Sequence, residues 1–243
     1  MPQLTIARRF CGPPNSANGG YFAGSVAALA RWPVSVRLLK PPPLEVPLEI
    51  QEGGEGVLEV RYDGELIGNA RPGSVSIPQM KAPDYLLAIE ASRHYSGFVQ
   101  HPFPGCFVCG PQRARGDGLR IFAGALPGVA QPDAPGLVAA PWLADESLDA
   151  GDGKVAPVFM WAALDCPGWF AAMPDPCSIA FLGELTAHID RRVHVGERCV
   201  VIGWRIGRDG RKHEAGTALF DEDQQICAYA RSVWIEPRPQ RVS

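Results

Sequence analysis

The sequence predicts an α+β chain made of two units of one pattern, each a central helix followed by an antiparallel strand meander. Three observations carry this. An Ala/Leu-rich run, Tyr21 to Trp32, precedes short runs rich in Val, Ile and Leu: VSVRLL, LEVPLEI, GVLEVRY and ELIGNAR. A second apolar run, Val155 to Phe170, precedes IAFLGELTAHIDRRV, ERCVVIGWRIG, KHEAGTALFD and QICAYARSVWI. The closing runs ELIGNAR (65–71) and QICAYAR (225–231) each follow an acidic turn.

In chain order, QLTIARRF (3–10) reads as a first strand. Asn15, Ser16 and Asn18 are N-cap types ahead of the first helix, whose start is approached through Asn18, Gly19 and Gly20. Glycine at a helix start lets a ligand reach backbone N–H groups; a plain turn before a core helix is the simpler alternative. The following strands are parted by PPP (41–43), EGGEG (52–56) and the hairpin signal Asp63-Gly64. Residues 73–104 lack a clean period and read as a connector with a short helix near 84–92. In the second unit, GLRIFAG (118–124) and GLVAAPW (136–142) are candidate strands, and 158–173 is a core helix. The expected division is 1–72, 73–104 and 105–243.

Apolar residues make up 46% and charged residues 20% of the chain, as in ordinary globular proteins, and no apolar stretch is long enough to span a membrane. A net charge of −3, with no basic block or basic-aromatic interleaving, argues against nucleic acid. The first ten residues, MPQLTIARRF, lack a signal-peptide core, so a cytoplasmic chain with reduced thiols is expected.

Asp165 is the single carboxylate in the run 155–170. A buried acid there either finds hydrogen-bond partners or has its pKa raised; it serves chemistry or merely buttresses the helix around Cys166, Pro167 and Gly168. Cys106 and Cys109 form a CxxC. Zinc prefers four ligands, usually from two such pairs, and there is no second CxxC. His94 and His101 are the residues that would complete a set. The expectation is therefore two structural cysteines, with no metal and no cofactor.

A helix wrapped by its own sheet, with two units paired edge to edge, resembles the hotdog fold. The tandem copy is similar to the double-hotdog acyl-CoA thioesterases over nearly the whole chain, and CFVCGPQRARGDGLRIF (106–122) resembles the lead-in of phenylacetate-type hotdog thioesterases. That family carries His-Gly-Gly at a helix start and an acid nine residues beyond the His. Here Asn18-Gly19-Gly20 stands in the first unit with Ala27 at the acid position. The second unit has Asp165, with Ala156, Pro157 and Val158 where the motif would be. The resemblance thus implies one composite site, with Gly19 and Gly20 as carbonyl-polarising amides and Asp165 as nucleophile or base. It implies Asn18, Tyr21, Phe22, Trp161, Thr186 and Ser232 as substrate-binding residues, the last two standing near the family's Thr and Gln. Phe22, Phe159, Trp161 and Trp169 would be acyl-chain walls, or simply core. The implied partner is an acyl-CoA or acyl-carrier thioester, with further homo-oligomerisation open to such a chain. The rival is a non-catalytic acyl-CoA or acyl-carrier binding protein with a decayed site. A hydratase would need a catalytic His on a central helix, and neither run contains one.

Overall fold

The computed structural model describes residues 2–126, 136–173 and 178–238. The first half contains β1 (Gln3–Thr5), α1 (Gly19–Ala27), β2 (Val34–Leu38), β3 (Pro47–Glu52), β4 (Leu58–Tyr62) and β5 (Glu65–Pro72). Helix α2 (Tyr85–Arg93) lies in the connector. The second half contains β6 (Gly124–Ala125), β7 (Val138–Leu143), α3 (Pro157–Ala163), α4 (Cys166–Ala172), β8 (Phe181–Ile189), β9 (Arg198–Asp209), β10 (Lys212–Phe220) and β11 (Ile226–Ile235).

The described strands form one eleven-stranded sheet in the order β1-β3-β4-β5-β2-β8-β11-β10-β9-β7-β6, and every pairing is antiparallel. The order is nearly palindromic about the β2–β8 seam, where Ser35 faces Thr186, Val36 faces Leu185 and Arg37 faces Glu184. Val36 and Leu185 are fully buried there, and Arg37 forms an ion pair with Glu184. Two helix-and-meander units thus share one sheet, and the helices lie against each other inside it. This is an α+β double hotdog.

Helices α1 and α3 approach closely because glycine allows it. A Cβ on Gly20 would stand 3.0 Å from Ala162 Cα, and one on Gly24 would stand 3.1 Å from Val158 Cα. Phe22, wholly buried, fills the space under α1, and such burial is worth about 1.5–3 kcal/mol. A second apolar cluster joins Ala88 and Ala91 of the connector helix to Ala139, Ile202, Trp204 and Ala218 of the second-half sheet. The connector therefore covers a sheet face rather than only spanning a gap.

Four local expectations fail. The strand expected over residues 3–10 stops at Thr5, and Arg8–Phe10 winds into a 3-10 turn. Helix α1 ends at Ala27, short of Trp32; tight i→i−3 bonds from Leu29 and Ala30 close its last turn, and Pro33 draws the chain towards β2. The run 158–173 is two helices. Pro167 has no N–H for the Ala163 carbonyl and its ring would clash with it, so the chain breaks at Asp165 (φ −82°, ψ −82°). Residues 118–122 form no strand: the Leu119 and Ile121 N–H groups donate to Phe107 and Val108 carbonyls in the CxxC loop, and Arg120 takes φ 55°.

Candidate active site

The break between α3 and α4 sets Asp165 at the first turn of α1. Its Oδ2 accepts from the Gly20 N–H at 2.9 Å and from Asn18 Nδ2 at 2.8 Å. Asn18 also caps α1, its Oδ1 accepting from the Tyr21 N–H at 2.9 Å. One amide side chain thus starts the first helix and holds the acid of the second half. Gly20 must be glycine, since a Cβ there would stand 2.5 Å from Asp165 Cβ and 2.9 Å from the Trp161 carbonyl oxygen.

Asp165 is 2% exposed, and its Oδ1 has no hydrogen-bond partner among the described residues. Burial pushes its pKa up to about 7; the Gly20 N–H opposes this, the Cys106 thiol adds to it and the Asn18 amide opposes it. An acid so placed exchanges protons near neutrality, through the oxygen that nothing else holds.

Asn18, Gly19 and Asp165 line a cavity of about 340 Å³. Its walls are mostly apolar, with Leu38, Phe103, Trp169, Phe181, Leu182 and Ile235 among them, and Lys40 and Arg211 lie on its lining. The Gly19 N–H, first in α1, donates to no group among the described residues. Gly20 differs: its N–H is already committed to Asp165.

The other residues named from sequence are placed elsewhere. Tyr21 stacks on Phe10 at 4.0 Å and meets Phe159 at 5.8 Å, in an aromatic cluster with Phe107. Phe22 is core, and Trp161 packs on Gly24 between the central helices. None of the three lines the cavity, and of the four proposed aromatic walls only Trp169 does. Thr186 is also off the cavity lining: Leu185 and Ala187 take the buried side of β8, leaving the Thr186 hydroxyl to donate to Ser35 at the seam. Ser232 is buried behind α4, accepting from Trp234 Nε1 at 3.0 Å.

Thr217, on the same side as the acid, was not anticipated. Its hydroxyl donates at 2.8 Å to the carbonyl of Leu164 and so fixes the break that aims Asp165. Nothing local in KHEAGTALF marks it, since Ala215 to Phe220 of β10 are all buried. Cys166, beside Asp165, has its Sγ 3.8 Å from that of Cys106, a contact that no local feature of the sequence signals. His94 is exposed beside Glu90, whereas His101 is half-buried with Nε2 3.3 Å from Cys109 Sγ.

No family model and no curated protein sequence matches the chain. Solved structures do. The TesB protein MAP1729c of Mycobacterium avium subs paratuberculosis matches with TM-score 0.61 and 13% identity, over 93% of this chain and 89% of that one. Acyl-CoA thioesterase II TesB2 of Mycobacterium marinum gives 0.60 and 11%, over 93% and 92%. A conserved protein of unknown function with a hot dog fold from Alicyclobacillus acidocaldarius gives 0.51 and 11%, over 98% and 92%. These similarities establish the double-hotdog fold over nearly the full length. Among the described residues no helix is long and apolar enough to cross a membrane.

Proposed function

We propose that this protein is an acyl-CoA thioesterase with one composite site, built from Asn18, Gly19 and Gly20 of the first half and Asp165 of the second. The observation that carries the reading is a buried carboxylate that lines an apolar cavity, held through one oxygen by two N–H donors and unpartnered at the other. The acyl chain would occupy the wall formed by Phe103, Trp169, Phe181 and Leu182, and Lys40 and Arg211 would meet the phosphates of the CoA arm.

In this reading Asp165 acts as general base. Water donates a proton to Oδ1 as its oxygen bonds to the thioester carbon, and the carbonyl electrons move onto oxygen. The Gly19 N–H, still unengaged at the helix start, receives that oxyanion; a donor in this role is typically worth about 100- to 1000-fold in rate. The C–S bond then breaks, and the leaving thiolate takes the proton back from Asp165. Gly20 and Asn18 keep Oδ2 fixed throughout, so Gly20 serves as a positioning amide rather than the oxyanion donor that the sequence suggested.

The test is thiol release from acyl-CoAs of increasing chain length, with Asp165→Asn alongside. Expected is turnover in the native protein and a loss of about 100- to 10,000-fold in the variant, the usual range for a positioned acid–base group, with acyl-CoA binding retained. An unchanged rate in Asp165→Asn removes Asp165 as catalyst. Binding without turnover in either protein favours an acyl-CoA binding protein instead.

A further inference from the structure

The CxxC segment was expected to be metal-free because no second pair follows it, but the fold supplies a third thiol from another part of the chain. The Sγ atoms of Cys106, Cys109 and Cys166 all lie within 4.8 Å of one another, and all three residues are buried. Four thiolates about 2.3 Å from a tetrahedral zinc ion stand about 3.8 Å apart, and the Cys106–Cys166 separation is 3.8 Å. A disulfide would need about 2.05 Å. We infer that Cys106, Cys109 and Cys166 bind one thiophilic divalent ion, zinc by its chemistry, on the cavity wall beside Asp165.

The local structure suits thiolates. The 106–110 turn is wound tightly enough that the Gly110 N–H donates to the Cys106 carbonyl at 2.9 Å. A Cβ on Gly110 would stand 2.5 Å from the carbonyl oxygens of both Cys106 and Pro104. This winding brings the two thiols of the pair together. Asn18 Nδ2 lies 3.9 Å from both Cys106 and Cys166 Sγ, adding a dipole of the right sign.

His101 has the position of an outer partner rather than of the fourth ligand. Its Nδ1 accepts from the Phe103 N–H at 2.9 Å, which leaves the proton on Nε2, and Nε2 faces Cys109 Sγ at 3.3 Å. A protonated Nε2 donates to a thiolate and does not coordinate metal. The three cysteines and His101 reach the cavity wall, so the fourth position falls to water or to a ligand entering the cavity. Three thiolates select zinc over magnesium or calcium, which prefer oxygen. The ion would tie the 101–110 loop to the start of α4 and so hold Asp165 from behind. The assignment stands on the thiol geometry and does not depend on the thioesterase reading.

Elemental analysis of the full chain, purified untagged without added metal, tests this. Expected is about one zinc per chain in the native protein and its loss in Cys106→Ser, Cys109→Ser and Cys166→Ser. Because serine at a buried thiol can also cost folding, cobalt-loaded native protein provides a second reading. Thiolate-to-cobalt charge-transfer bands with the intensity of a tetrahedral ion support the site. His101→Ala should keep the stoichiometry but bind about 10- to 100-fold more weakly against a chelator, as for other outer partners. Native protein without zinc whose three thiols titrate as free, or cobalt bound without sulfur bands, overturns the inference.

Discussion

The two ends of the α1–α3 pair differ more than their shared fold requires. At one end Asn18, Gly19 and Gly20 open α1 against Asp165. By the pairing of the helices, the corresponding positions at the other end are Ala156, Pro157 and Val158 opening α3, with Ala27 where an acid would stand. Ala156 makes no side-chain cap, and Pro157 at the first helical position has no N–H. Ala27 packs against the core. On the axis between the ends, Tyr21 and Phe159 are counterparts and touch. The second end starts its helix on backbone bonds and packing, with no side-chain cap. The first holds a buried charge and needs glycine, an amide cap and a broken helix to do it.

Glycine substitutions test this difference with the largest expected effect. Gly20→Ala drives a methyl into the Asp165 Cβ and the backbone of Trp161 and Ala162. It should cost about 3 kcal/mol, the upper end of ordinary overpacking, and what folds should turn over acyl-CoA poorly. Its counterpart pair is reversed: a Cβ on Gly24 meets chiefly the Trp161 side chain, 2.7 Å from its Cβ. Gly24→Ala should cost about 1–3 kcal/mol while sparing the turnover of the folded fraction. Denaturant melts with per-folded-molecule kinetics measure both. Equal kinetic damage would mean that the two ends are not functionally distinct.

Asn18 carries two duties that substitution can separate. Asn18→Ala removes the cap to the Tyr21 N–H and the donor to Asp165, and should cost about 2 kcal/mol. Asn18→Asp keeps an oxygen for the cap but sets a second carboxylate against the first. It should therefore recover part of the stability, measured by melting, without recovering turnover.

A pH titration of stability reads the acid itself, on chelator-treated protein so that no bound ion contributes. The folded-state pKa of Asp165, about 7, lies above its ordinary value of 3.8, because burial disfavours the charge. The folded state therefore binds the proton more tightly than the unfolded chain. That stabilisation is complete below about pH 4 and is lost as pH rises through about 7. Asp165→Asn lacks this loss, so native stability relative to the variant should fall by on the order of 2–4 kcal/mol between pH 4 and 8. Denaturation at several pH values measures it; a flat difference would place the acid in a more polar setting than its burial implies.

Much of this was legible in sequence, because periodicity and turn chemistry are local. The two helices, the meanders and the acidic turns before β5 and β11 follow from apolar alternation and from residues such as Asp63 and Gly64 that punctuate it. The pairing of Asp165 with Gly20 was inferable from a spacing that fails in opposite ways in the two halves. What escaped was set by contacts distant in sequence. Phe22 and Trp161 looked like pocket walls, but an apolar residue on a central helix has several faces to fill, and only packing says which is open. Thr186 lies in the half-buried strand β8 and Thr217 in the buried stretch of β10, and only the three-dimensional placement of the strands sets one at the seam and the other beside the acid. Cys166 was in plain view, yet nothing local said that the turn of Cys106 and Cys109 would be folded against it.

The smallest expected effect is at the other end. Ala27→Asp places a carboxylate at the position equivalent to Asp165, and the substituted chain would then carry an acid in both halves. Turnover should not rise. The equivalent of Asn18 is Ala156, which has no amide to steady the new charge, and the equivalent of Gly19 is Pro157, which has no N–H for an oxyanion. Val158 retains an N–H, but it carries a side chain where the first end has the bare Gly20. The new carboxylate, at a partly buried position, should tilt towards solvent and cost about 1–2 kcal/mol, a modest desolvation penalty. The measurement is acyl-CoA turnover of Ala27→Asp in an Asp165→Asn background, where any second site would stand alone. Activity well above that of Asp165→Asn would show that an acid suffices at either end, and that the amide cap and the glycines of α1 are not what distinguishes them.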